Sequence, residues 1–167
     1  MHIRTLAATL GCLLLLAGAV QQAQAQPQDC KDAMQARSPQ AQVDLFTRCL
    51  NSGQVSGDSK ATTLKQRAVA YMHLGRHQRA VDDIDQALRL KPDDADNYYL
   101  RGVSYRALGK LEQAIADSSR AIGLDSNFAA AYANRAYAYK ELGNTNQARN
   151  DAQRAQALDP SVRVPSF

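Results

Sequence analysis

Few residues in this chain have the types and spacing to do chemistry. His73 and His77 lie four apart, a spacing that on one helix could share a metal ion. Gly75 falls between them where the helical pattern breaks, and no third ligand is near in sequence. Both therefore read as loop or surface histidines, and no metal is expected. Asp82, Asp83 and Asp85 form an acidic cluster, as do Asp93, Asp94 and Asp96. Aspartates gather at helix starts through capping and the helix dipole, so these read as solvated groups rather than a catalytic carboxylate pair. There is no nucleophile–base constellation and no phosphate loop, so neither a catalytic residue nor a cofactor is expected. Twenty Lys and Arg against sixteen Asp and Glu give a net charge of +4. The basic residues are spread rather than striped, which argues against nucleic acid as a partner.

The thiols depend on which part of the chain persists. Arg4 precedes an uncharged, mostly apolar run from Leu6 to Val20, followed by Ala23-Gln24-Ala25. This is the layout of a secretory signal peptide, with cleavage expected between Ala25 and Gln26. Removing residues 1–25 costs one charge, Arg4, and one thiol, Cys12, leaving Cys30 and Cys49. Two cysteines in an exported protein favour one disulfide; a pair of free buried thiols is the other reading. No other segment is long and apolar enough to span a bilayer. The expectation is a protein exported to the periplasm or outside the cell, soluble after cleavage, without stable membrane insertion.

The elements that position these residues are announced by a repeat. Residues 61–94, 95–128 and 129–162 align end to end with a period of 34. The seventh position reads Arg67, Arg101, Arg135, and the eighth Ala68, Gly102, Ala136. The eleventh is Tyr71, Tyr105, Tyr139, and the fifteenth Gly75, Gly109, Gly143. Ala80, Ala114 and Ala148 follow at the twentieth, Ala87, Ala121 and Ala155 at the twenty-seventh, and Leu90, Leu124 and Leu158 at the thirtieth. Pro92 and Pro160 share a position held by Ser126 in the middle copy. Apolar and small residues recur at three- and four-residue spacing, which is helical. The glycines end one helix and the prolines stop a second. Each unit is thus a helical hairpin whose small residues let its helices approach closely. An Asp sixteen residues after each Arg (Asp83, Asp117, Asp151) offers an ion pair across each hairpin, with mutual solvation as the alternative.

This pattern resembles the tetratricopeptide repeat family over 102 of 167 residues. Two positions depart from it. The fourth carries Leu64, Tyr98 and Tyr132 instead of Trp, and the twenty-fourth carries Ile84, Ser118 and Ala152 instead of a large aromatic, so a thinner core is expected in the last two repeats. The resemblance implies an all-α solenoid of three hairpins. Residues 26–60 read as a cap and linker: a degenerate hairpin over 27–51, with helices over 29–37 and 40–51, clipped by Cys30–Cys49 because those residues fall at its eighth and twenty-seventh positions. The cysteine pair also resembles a recurring type of exported bacterial tetratricopeptide protein, one that carries the Arg101-Gly102-Val103-Ser104-Tyr105 type of motif. Residues 52–57 read as a flexible link, with Asp58 or Ser59 capping the next helix. At the other end Arg149 and Gln156 replace the outward Ile115 and Ile122 of the preceding copy, so the array is expected to close at the third repeat. The tail, 163–167, reads as lying loosely over the last hairpin.

In the family the first helices line a concave face that binds an extended peptide or a helix. Carried over by position, the groove comprises Lys65, Val69, Met72 and His73; then Asp96, Tyr99, Val103 and Arg106; then Asn134, Tyr137, Lys140 and Glu141. The version that grips a chaperone's terminal carboxylate uses two Lys, two Asn and an Arg. Here Lys65 and a substituted Asn134 remain, whereas Val69, Leu100 and Ala130 stand at the other clamp positions, so that specialisation is not expected. The implied activity is non-enzymatic: an adaptor for an envelope protein. Self-assembly through the repeat ends, giving a homodimer, and small-ligand or glycan binding in the groove are the alternatives.

Overall fold

The computed structural model describes residues 28–167. The expected signal segment and its Ala25–Gln26 junction lie outside these residues. Among the described residues eight helices follow one another in antiparallel pairs: α1 (Gln28–Gln35), α2 (Pro39–Asn51), α3 (Gly57–His73), α4 (His77–Leu90), α5 (Ala95–Ala107), α6 (Leu111–Leu124), α7 (Ala129–Glu141) and α8 (Thr145–Leu158). Each helix packs on its chain neighbours, and α3–α5 and α5–α7 also touch. The first helix of each repeat therefore lines the inner face and the second the outer. Among the described residues no helix is long and apolar enough to cross a membrane.

Local chemistry explains the boundaries. Gly75, Gly109 and Gly143 sit at φ 69°, 73° and 81°, the left-handed region that a side chain resists. The amides of each glycine and the next residue turn back on the helix: Gly75 to the Met72 carbonyl and Arg76 to that of Tyr71, with Gly109/Lys110 and Gly143/Asn144 repeating the pattern. This is a Schellman motif three times over. Ser38 caps α2 by accepting from the Ala41 amide, with Pro39 at the first turn. Asp94 caps α5 by accepting from the Asn97 amide at 3.0 Å.

The small residues are where the helices touch. Ala68, Ala80, Ala87, Ala114, Ala121, Ala136, Ala148 and Ala155 are all fully buried. The first repeat holds the largest apolar side chains, Leu64 at 1% and Ile84 at 0% exposure, with Leu88 beside them. In the second repeat the thin position is filled by polar chemistry: Ser118 accepts from Asn134 Nδ2 at 2.9 Å, and Asn134 Oδ1 accepts from Arg106 Nε at 3.0 Å.

The expected ion pairs are made, and they do more than close each hairpin. Arg101 donates from Nε and Nη2 to both oxygens of Asp117, at 2.7 and 2.8 Å, and from Nη1 to Asp85 of the preceding repeat at 2.7 Å. Arg135 grips Asp151 in the same way and reaches back to Ser119. Arg67 grips Asp83 and reaches back to Thr47. Each arginine thus ties its own hairpin to the one before. Hydrogen bonds donated to Asp117 and Asp151 hold the Arg101 and Arg135 guanidinium groups more firmly protonated than usual, against the pull of burial. Asp83 is buried in this bond, so it and Asp85 are ion-paired rather than solvated as the sequence had implied.

At the start of the chain, Cys30 and Cys49 form a disulfide with Cα atoms 5.2 Å apart. The link behind it is less free than its composition indicates: Val55 is buried against the two cysteines. The next helix begins at Gly57 with Ser56 at its N-cap position, so Asp58 sits in the first turn rather than capping it.

Candidate functional site

The inner face is built by α3, α5 and α7, whose fixed starts and Schellman ends set the rotation of every side chain on them. At the first repeat, Lys65 lies 3.4 Å from Asp94 and 3.3 Å from Asp96, so its ammonium is already engaged. Val69 is half-buried. Met72 packs against the cluster of Ala68, Ala80, Ile84 and Leu88 and offers the surface only part of its side chain. His73 is exposed at the end of α3, and His77 starts α4 beyond the Gly75 turn. Among the described residues no group of three or more His, Cys, Asp or Glu is placed to hold a metal.

The middle of the face is the best-organised part. Tyr99, Val103, Arg106, Ala133 and Tyr137 border an open cavity of about 250 Å³. The Tyr99 ring rests against Phe128 at 5.0 Å between centroids. Burial pushes the Tyr99 phenol above its ordinary value, opposed by the nearby Arg106 charge. Arg106 is held on three sides: Nε donates to Asn134, Nη1 to Glu141 at 2.9 Å, and its guanidinium carbon lies 5.0 Å from the Tyr137 ring centroid. A side chain fixed in advance loses little rotamer freedom when a partner arrives. Half-exposed Tyr and Arg around a cavity are the residue types that dominate binding energy at interfaces.

Eleven of the twelve residues expected in the groove are exposed or half-exposed, and Asn134 is the exception. It is 4% exposed and both ends of its amide are used, by Ser118 and Arg106. It supports the floor of the groove instead of offering itself to a ligand. Sequence reasoning also missed that Val162 and Arg163 border the same cavity, because a segment without periodicity gives no register.

Profiles described as tetratricopeptide repeat match residues 61–94, 84–116 and 129–162, and a further one described as TPR repeat matches 102–143. Together they run from 61 to 162 without a gap. The chain belongs to the tetratricopeptide repeat family. No curated protein matches it in sequence. Among solved structures, this tetratricopeptide protein is similar to the second tetratricopeptide domain of Spaghetti (RPAP3) bound to an HSP90 peptide: 26% identity, 61% of this chain and 94% of that one, TM-score 0.59. The second such domain of human RPAP3, in complex with an HSP70 peptide, matches at 26% identity over 65% of this chain and 90% of its own, TM-score 0.61. MamA shares the fold at 21% identity over 78% of this chain and 74% of its own, TM-score 0.69.

Proposed function

We propose that the protein is a non-enzymatic adaptor that binds an extended peptide or a helix of a partner protein along α3, α5 and α7. The observation that carries this is the fixed cluster of Tyr99, Val103, Arg106 and Tyr137 around an open cavity, on the face opposite the hairpin-closing arginines. Solved relatives at 26% identity hold peptides ending in EEVD. The acid-gripping set of that version is incomplete here: Lys65 is paired to two aspartates and Asn134 is consumed beneath the floor. A partner segment led by apolar and aromatic side chains, with one acceptor for Arg106, fits this groove better than an acidic tail.

A partner in the periplasm or cell envelope is the reading supported by the signal-like layout of residues 1–25, and the Cys30–Cys49 disulfide is consistent with an oxidising compartment. Fractionation with intact-mass analysis checks this: a periplasmic or secreted species beginning at Gln26 is expected, and a cytoplasmic species retaining Met1 would contradict it. Peptide-library selection on the immobilised protein, with Tyr99→Asp as the counter-screen, tests the groove. An enriched motif whose binding is lost in Tyr99→Asp is expected. Motifs that bind both proteins equally would refute the groove as the site.

A further inference from the structure

The segment after α8 occupies a place that the repeat itself defines. In the array, α7 docks by polar contacts on three positions of the preceding hairpin: Asn134 and Glu141 accept from Arg106, Asn134 donates to Ser118, and Arg135 donates to Ser119. One period further on, those three docking positions are Lys140, Ala152 and Gln153. Residues 164–167 lie against them. The Ser166 carbonyl accepts from Lys140 Nζ, as Asn134 Oδ1 accepts from Arg106. Val164, Pro165 and Ser166 border one cavity with Tyr137, Lys140 and Glu141, and a second with Arg149, Ala152, Gln153 and Gln156. Pro165 is buried, and the Phe167 ring lies 5.7 Å from Lys140 Nζ and 5.5 Å from the Arg149 guanidinium carbon. The tail is seated rather than loose.

We infer that the end face of α7 and α8 is a second peptide-binding site, adjoining the concave groove at Tyr137, Lys140 and Glu141 and extending over Arg149 and Ala152, and that residues 164–167 fill it in cis. Its ligand class is an extended segment carrying a proline and, two residues later, an aromatic side chain. Three recognition elements follow from the geometry. The shallow seat over Ala152 takes the proline, whose fixed φ holds the segment extended. Lys140 takes the carbonyl that follows it. Lys140 and Arg149 together take the aromatic ring by cation–π attraction. The cis segment shields the surface on which a repeat would otherwise stack, the role a polar end cap has in a solenoid.

The test uses the full protein and a labelled peptide spanning Val162–Phe167. In the unaltered protein the tethered segment competes at an effective concentration of order millimolar, so the free peptide should bind about tenfold or more weakly than to a variant whose own segment is evicted. Pro165→Asp with Phe167→Ala provides that variant. Saturable binding to it by fluorescence polarisation is expected, weakened by Arg149→Ala in the protein or by Phe→Ala in the peptide. Amide hydrogen exchange over α7 and α8 should be faster in the evicted variant and recover on adding peptide. Equal affinity for the two proteins would overturn the inference. So would absence of binding to a folded evicted variant at millimolar peptide. Neither readout depends on a partner in the concave groove.

Discussion

Arg101→Ala should be among the most damaging substitutions in the array. Arg101 makes three charge-assisted hydrogen bonds, two to Asp117 and one to Asp85. The side chain of Asp117 keeps only 10% of its exposure, whereas that of Asp85 keeps 38%. Stranding a fully buried carboxylate costs about 3–5 kcal/mol. Asp117 retains some contact with water, which lowers that figure, and the half-screened Asp85 contact adds about 0.5 kcal/mol. The sum is roughly 3 kcal/mol. With a urea slope of about 2 kcal/mol/M, the unfolding midpoint should fall by about 1.5 M. Asp85→Ala should cost under about 1 kcal/mol, and Arg79→Ala, on an exposed residue, should stay within about 0.5 kcal/mol. Because Arg101 bonds both its own hairpin and the one before, its loss should also weaken the coupling between repeats, seen as a broader transition. Chemical denaturation followed by far-ultraviolet circular dichroism reads all three variants. A loss of under about 1 kcal/mol for Arg101→Ala, no larger than for Asp85→Ala, would refute the reasoning that one guanidinium joins adjacent repeats.

Replacing Cys30 and Cys49 together by Ser opens a loop with a sequence separation of 19 and should cost about 3 kcal/mol; hydrogen exchange should quicken in α1 and α2 and stay unchanged in α7 and α8. Asn97 is 1% exposed and its Oδ1 has no hydrogen-bond partner, while Ala131 fills the matching position one repeat later. Asn97→Ala should therefore be neutral or stabilising by about 1 kcal/mol, checked by the thermal midpoint. Burial raises the Tyr99 phenol above 10.0 in the folded protein. Its contribution to stability is then constant below about pH 10 and is lost as pH rises from there through the folded value, because the unfolded chain releases the proton first. Tyr99→Phe should flatten that alkaline decline, measured as midpoint against pH.

The parts of the fold that were legible in sequence are those fixed by local rules. The period placed the helices to within a few residues because glycine alone tolerates the left-handed end of each first helix. The Arg–Asp spacing of sixteen gave the ion pair within each hairpin. The backward bond was harder to see. Its acceptors, Asp85 and Ser119, also lie sixteen residues away, but their types differ and only the oxygen is shared. For Arg67 the acceptor is Thr47, twenty residues back, the four extra residues being those of the link before α3. Ser118 read as a missing core residue, because a sequence position does not reveal that Asn134 turns inward to meet it. The tail gave no signal, since its conformation is set by the hairpin beneath it and not by its own propensities.

The central claim is that the face of α3, α5 and α7 receives a partner. In-cell photo-crosslinking from a reactive residue in place of Tyr99, with one in place of the exposed Gln113 on α6 as control, addresses it directly. A discrete adduct formed from Tyr99 and not from Gln113, heavier than the protein by the mass of a different chain, is the predicted result. No adduct from Tyr99, the same adduct from both positions, or one at twice the protein's own mass would contradict it.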